Sequence, residues 1–387
     1  MDRIAITGIG LVSSLGKSPA LVSRKLLQGK SGVKKFSFKK SGPEFLAARI
    51  SSPVTGQTPN RWPINRATAL ALAAAECLMP SSAAQPEPRL GLIHATTYGN
   101  LQSLLDYQAD IKTFGLNRGS PMQFPSTILH AAASFLSLAL GAAAFNITLS
   151  NEGISGIDAL EMARNLLSVG AADRILVVTS EAICPELIPV LQASDELEWQ
   201  FPDPFGEKRS GYAPGEAAVA VLLEPLTLAQ GNGRKIYSIF HGSSGVSHCS
   251  PTSTAFAAAM QMALADAGVP AEQIGCVLAN GNGSKQDCEE ASAINAVFGK
   301  SVPVTSVKAA FGECVSSSFL LSLISALTCA ERGYYPLTVG RSKYDSKLPP
   351  IHLLRQKAKV TSPIFMVNAF TRNSAASEVW STGEGQG

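Results

Sequence analysis

The chain has 387 residues, 45% of them hydrophobic and 16% charged, the profile of a compact globular protein with a sizeable core. Lys and Arg number 32 against 29 Asp and Glu, a formal net charge of +3, and this near balance without a basic stripe argues against binding to nucleic acid or an anionic membrane. The 7 Cys, odd in number and without a C-x-x-C pair, argue against a disulfide framework or a zinc site and for a reducing, cytoplasmic compartment.

In chain order, short β-branched runs alternate with helical patterns, which predicts an α/β protein with largely buried sheets. The opening MDRIAITGIG lacks the charged segment and long apolar run of a secretory signal. Its strand, Arg3 to Thr7, feeds GIGLVS at Gly8 to Ser13, which misses the third Gly of a dinucleotide fingerprint and reads as a turn closing the strand. Lys34, Lys35, Lys39 and Lys40 read as a solvated loop. A helix is predicted from Arg66 to Met79 and a strand from Leu90 to Thr96. The apolar windows Ala132 to Phe145 and Phe319 to Ala330 are shorter than the about 18 residues of a membrane span and read as buried helices. Strands follow at Asn146 to Ser150, Arg174 to Ser180 and Ala217 to Leu223, with a helix from Ile157 to Val169 between the first two. Beyond a turn at Leu226 to Arg234, the strands Lys235 to Phe240, Cys276 to Ala279, Val302 to Ser306 and Ile364 to Phe370 alternate with further helices. These are Thr254 to Ala267, Glu289 to Phe298 and Ser316 to Arg332, each with apolar residues at three- and four-residue steps.

The glycine-containing turn divides the chain into an N-terminal half, 1–228, and a C-terminal half, 229–380, with 381–387, STGEGQG, as a disordered tail. Each half contains a hydrophobic strand after a long helix, in ADRILVVTSEA and SPIFMVNAFT. Each also begins with a strand feeding a Gly-rich turn, in IAITGIG and VLANGNG, a pattern of internal duplication.

Three segments carry candidate chemistry. SNEGISGIDALEMAR, 150–164, is a strand-to-helix elbow of the kind that presents a nucleophile at a helix N-terminus. Gly153 stands in the presenting position, and Ser155 reads as a helix N-cap. ANGNGSKQDCEE, 279–290, places two Asn and two Gly at a strand end, a ligand-facing turn or a plain loop, with acidic residues placed to cap the next helix. SVKAAFGECVSSS, 306–318, carries Lys308 and Glu313, which are either solvated or line a pocket, since a buried charge is costly unless paired.

In this order the segments resemble the β-ketoacyl-acyl-carrier-protein synthases of the thiolase-like fold. The opening RIAITGIGLVSSLGKSPALVSRKLLQGKSGV and the stretch DPFGEKRSGYAPGEAAVAVLLEP, 203–225, with Arg209, Gly211, Gly215 and Glu216 in place, carry the resemblance, which spans nearly the whole chain. It implies two pseudo-duplicated halves in a five-layered αβαβα architecture. It further implies a site for decarboxylative condensation built from a Cys, two His and a Lys. The family's T-A-C-x-S/T-G elbow aligns with Asn151 to Gly156, so Gly153 replaces the Cys. Its H-G-T-G-T turn aligns with Asn280 to Ser284, so Asn280 replaces the first His. Its K-x-x-x-G-H pattern aligns with Lys308 to Glu313, so Lys308 is kept and Glu313 replaces the second His. The family's glycine-rich gate N-x-F-G-F-G-G-T-N becomes Asn368-Ala369-Phe370-Thr371-Arg372-Asn373-Ser374. By the same alignment Tyr98, Leu101 and Gln123 fall at the pocket floor and partner contacts, and Phe370 and Arg372 at the gate.

Without a thiolate at position 153 no acyl-enzyme forms, and losing one oxyanion donor costs about 100- to 1000-fold. The resemblance is therefore closest to a chain-length factor, the Cys-less partner of an active ketosynthase in type II polyketide or aryl polyene systems. It implies no intact catalytic residue, no bound cofactor or metal, and a heterodimer with a Cys-bearing ketosynthase. The acyl-phosphopantetheine of an acyl carrier protein is then a substrate of the complex. A plug is expected in which Arg372 or Lys308 pairs with Glu152 or Glu313. The alternatives are an acyltransferase or decarboxylase using relocated residues such as Ser155, Cys314 or His248, and a homodimeric carrier-protein-binding scaffold.

Overall fold

A computed structural model describes residues 3–39, 42–51, 64–79, 87, 89–193, 201–248, 250 and 252–383. The first half runs β1 (Ile4–Ser13), α1 (Pro19–Leu26), β2 (Lys34–Phe36), β3 (Phe45–Ala47), α2 (Arg66–Leu78), β4 (Leu90–Ala95), α3 (Leu101–Phe114) and α4 (Ala131–Leu140). It continues through β5 (Phe145–Leu149), α5 (Ser155–Ser168), β6 (Arg174–Glu181), α6 (Leu187–Ala193) and β7 (Ala217–Pro225). After the short α7 (Leu226–Gly231) come β8 (Ser238–Ser247), α8 (Ser253–Ala267), β9 (Cys276–Leu278), α9 (Gln286–Phe298), β10 (Pro303–Thr305) and α10 (Lys308–Phe311). The chain closes with α11 (Ser318–Ala330), β11 (His352–Leu353), β12 (Ile364–Phe370) and β13 (Ser374–Thr382).

The strand order reveals the duplication. One run reads β5-β4-β6-β7-β1 and the other β10-β9-β12-β13-β8. In both, the first three strands are parallel and the last two antiparallel. The runs join where β1 meets β8 at Ala5 opposite Ile239 and Ile6 opposite Ser238.

Alternation along the strands sorts side chains into layers. Ile6, Leu11, Val177 and Val221 of the first run and Phe365, Val367 and Trp380 of the second enclose Leu160 of α5 and Leu323 of α11. On the far side of the first run, Leu92, Leu176 and Leu222 pack against α2 and α4. On the far side of the second, Val277, Met366 and Val379 pack against α8 and α9. The result is helices, sheet, helices, sheet, helices.

Several local expectations are corrected. Gly8 to Ser13 continue β1 rather than turning; a Cβ at Gly10 would strike the Ala74 carbonyl, so glycine lets α2 lie close on the strand. Lys34 and Lys35 belong to β2, paired with β3, while Lys40 lies outside the described residues. The window from Ala132 is helical only to Leu140, and Phe145 already belongs to β5. Leu226 to Gly231 are helical, not a turn. The second half opens on β8, so VLANGNG marks its second strand and is not the counterpart of IAITGIG. Ser381 and Thr382 complete β13 instead of starting a tail; residues 384–387 lie outside the described residues.

Candidate functional site

The elbow from β5 into α5 forms through one residue of unusual backbone. Glu152 has φ 47°, left-handed for a non-glycine residue. Ser155 is not the N-cap: it is the first residue of α5, and its Oγ accepts from Asn151 N at 2.7 Å while donating to Glu152 O at 2.7 Å. The turn into α11 repeats the device, with Val315 at φ 43°. At Gly153 nothing requires glycine: an added Cβ would meet Thr371 Cγ2 at 3.6 Å and Phe370 O at 3.8 Å, ordinary contacts.

Phe370 O links this elbow to the loop after β9, accepting from Asn280 Nδ2 at 3.3 Å. Asn280 Oδ1 accepts from Lys308 Nζ at 2.7 Å, and the same ammonium lies 2.8 Å from Glu313 Oε2. Glu313 also accepts from Asn282 Nδ2 at 3.0 Å and from Ser318 Oγ at 2.7 Å. Gly153, Phe370, Asn280, Lys308 and Glu313 are thus contiguous. The charged pair is neither solvated nor open to a large pocket; it is buried and mutually satisfied. Burial pushes the Glu313 carboxyl up, but the Lys308 ammonium and the hydrogen bonds from Lys308, Asn282 and Ser318 outweigh it and hold the group below the usual range.

The carboxylates of α9 do not cap their own helix. Asp287 accepts from the backbone N–H groups of Asn282, Gly283 and Phe205, and Glu290 from Asn280 N at 2.8 Å and Asn368 Nδ2 at 3.2 Å. They hold the 280–283 loop in place. Burial lifts Asp287 to about 6 and Glu290 to about 7, against those hydrogen bonds. Glu181, at the end of β6, plays a similar part for Tyr98 N and Ser316 Oγ, and burial lifts it to about 7. Sequence reasoning gave the acidic residues of 279–290 a helix-capping role and passed over Glu181, whose one signal is an acidic residue closing the apolar run of β6.

A cleft of about 430 Å³ opens beside this network, and Tyr98, Leu101 and Gln123 all line it. Tyr98 also borders a second void of about 20 Å³ that reaches Glu181, Glu313 and Val315, as do Ala182 and Ile183. Phe370 and Arg372 line neither. Phe370 is buried and stacks on Phe256 with centroids 3.9 Å apart. Arg372 is exposed on the tight turn joining β12 to β13, where Thr371 N donates to Ser374 O at 2.8 Å. Of the expected pairings, Lys308 with Glu313 forms an ion pair at 2.8 Å.

The relocated nucleophiles are not armed. Ser155 is buried and engaged in its turn. Cys314 is buried, its thiol raised far above normal by desolvation and then by Glu313, the opposite of a reactive thiolate. His248 has neither ring nitrogen hydrogen-bonded. Among the described residues no three His, Cys, Asp or Glu are placed to hold a metal, and no helix is long and apolar enough to cross a membrane.

Residues 1–229 match the model of the β-ketoacyl synthase N-terminal domain and 235–341 that of the C-terminal domain. The chain belongs to the β-ketoacyl synthase family. Its thiolase-like α/β fold, a mixed sheet flanked by helices, is that of the family. A putative mitochondrial 3-oxoacyl-[acyl-carrier-protein] synthase of Schizosaccharomyces pombe is 27% identical over 88% of this chain and 89% of its own length. The solved structure of the ishigamide ketosynthase/chain length factor superposes with a TM-score of 0.87 at 22% identity, covering 99% of both chains. A complex of a ketosynthase with its chain length factor from Xenorhabdus doucetiae gives 0.83 at 21% identity, over 99% of this chain and 98% of the other.

Proposed function

We propose that this member of the β-ketoacyl synthase family is a non-catalytic, chain-length-factor-like subunit. It pairs with a Cys-bearing ketosynthase and shapes the tunnel in which an acyl chain held on a carrier protein is extended, in polyketide, aryl polyene or fatty-acid-like synthesis. The observation that carries the proposal is the continuity of Gly153, Asn280 and Glu313 through Phe370 O and Lys308 Nζ. The position of the nucleophile has no side chain. Glu313 is ionised where a condensing site needs donors for a developing enolate, and its charge opposes that enolate.

A partner is supported by the surface around β5. That strand is the edge of the sheet, and α3 buries none of its side chains. Phe114, Leu116 and Leu138 are 66%, 82% and 72% exposed. A strand at the sheet edge and exposed apolar side chains are features of an unfinished interface. Relatives solved as ketosynthase with chain length factor support a homologous Cys-bearing subunit as its occupant.

Co-expression with a Cys-bearing ketosynthase from the same source tests the reading. A one-to-one complex is expected, lost on Leu138→Asp while the isolated subunit stays folded. A chain that purifies only as its own homodimer, or that acquires a stable acyl adduct from acylated carrier protein, overturns it.

A further inference from the structure

The wall of the 430 Å³ cleft carries a cation, Arg49, whose donors find no hydrogen-bond acceptor among the described residues. Buried Glu216 is already satisfied: Arg66 Nε and Nη2 donate to it at 2.7 Å each, and Ile50 N donates at 3.0 Å. Arg49 adds a second guanidinium whose Nε is 3.6 Å from Glu216 Oε1, beyond hydrogen-bond reach. That Nε is buried without a partner, and among the described residues no hydrogen bond is donated by the Arg49 guanidinium.

Its position is nonetheless held. The Arg49 Cζ lies 4.5 Å from the Phe36 ring centroid and 5.5 Å from that of Phe38, cation–π contacts that hold the group in place without using its N–H donors. Among the described residues two guanidiniums, Arg49 and Arg66, meet the one buried carboxylate Glu216 at this end of the cleft. The carboxylate that lines the cleft itself, Asp106, accepts from Gln102 Nε2 at 2.8 Å and makes no ion pair with Arg49. The rest of the wall includes Phe38, Leu101, Tyr107 and Ile183, apolar bodies suited to a chain or ring, and the volume lies in the small-molecule range of about 300–1,000 Å³.

We propose that this cleft is a binding subsite for a small apolar chain or ring ending in a carboxylate, with the Arg49 guanidinium as the anchor of that carboxylate. A bidentate pair with a planar fork favours carboxylate over a neutral ester of the same shape. The inference extends the tunnel-shaping role to the chemistry of what the tunnel takes, yet needs no partner subunit.

Calorimetric titration of the full chain with octanoate and with methyl octanoate tests it. One octanoate is expected to bind per chain, at least about tenfold tighter than the ester. Arg49→Gln is expected to bring octanoate down to the level of the ester, and Arg49→Lys, which keeps the charge, to retain the preference. Lys343→Gln, on an exposed loop outside the cleft, leaves both ligands unaffected. Equal binding of acid and ester, binding of neither, or a preference that survives in Arg49→Gln overturns the proposal. If Arg49→Gln does not fold, an Arg49→Lys protein without the preference overturns it too. A chain that prefers the acid but never joins a ketosynthase removes the chain-length-factor reading alone; one that joins without the preference removes only this inference.

Discussion

Lys308 Nζ lies 2.8 Å from Glu313 Oε2, with the side chains only 7% and 12% exposed. The ammonium is fixed on its other side by Asn280 Oδ1 at 2.7 Å. One cation therefore ties together two loops, those following β9 and β10. Removing one partner strands the other's charge in a site of low dielectric. Glu313→Gln is expected to destabilise the chain by about 3 kcal/mol or more. The double change Lys308→Met with Glu313→Gln is expected to lose less than either single change predicts by addition, as urea unfolding of all four proteins will show.

Gly153→Cys is expected to fold as well as the parent chain, because the added Cβ makes only ordinary contacts, the nearest at 3.6 Å. The new thiol is expected to take one iodoacetamide beyond the background of the parent chain, read by intact mass. No condensation product and no decarboxylation of malonyl carrier protein above background are expected, since the anionic Glu313 remains. Restored condensation by this single change would show that the cysteine was the only function lost.

Stability is expected to fall as pH rises from about 5 to 8. Burial lifts Glu290 and Glu181 to about 7, and Asp287 to about 6, from ordinary values of 4.5, 4.5 and 3.8. A raised carboxyl is favoured in its protonated form by the fold, so its stabilising contribution is full below the unfolded value and vanishes as pH climbs through the folded one. Glu313, held low by Lys308, acts with the opposite sign and loses its contribution as pH falls below about 4.5. Urea midpoints measured across this range should show a shallower decline for Glu290→Gln than for the parent chain.

Tyr98→Ala is expected to lengthen the products of the complex. On the proposed tunnel-shaping role, Tyr98 borders both the cleft and the void that reaches Glu313, so truncating it enlarges the space available to a chain. Mass spectrometry of the released chains checks this: an unchanged length distribution in an intact complex would show that Tyr98 does not set tunnel depth.

The alternation of strands and helices, the halves' shared pattern and the composition of each core face were legible in the chain because hydrophobic period reports burial directly. The strands at Arg174 and Ile364 begin where their β-branched and aromatic runs begin. β13 escaped notice because Ser374 to Thr382 mixes Ser, Ala and Glu. It is a strand because it lies between β12 and β8, where neighbours satisfy its backbone and bury Glu378. β2 and β11, at three and two residues, are too short for any periodic signal.

The same division holds at the candidate site. Motif alignment alone marked Gly153, Asn280, Lys308 and Glu313, and placed Tyr98, Leu101 and Gln123 together, because side-chain identity at a fixed offset is a property of the chain. That Lys308 would choose Glu313, that Phe370 would turn from gate to core by stacking on Phe256, and that Asp287 and Glu290 would hold a loop rather than cap a helix were decided only in three dimensions. Pairing depends on distance and dielectric, and both are set by which segments the fold brings together: for Arg49 the 3.6 Å to Glu216, not its place in the sequence, leaves a cation facing the cleft.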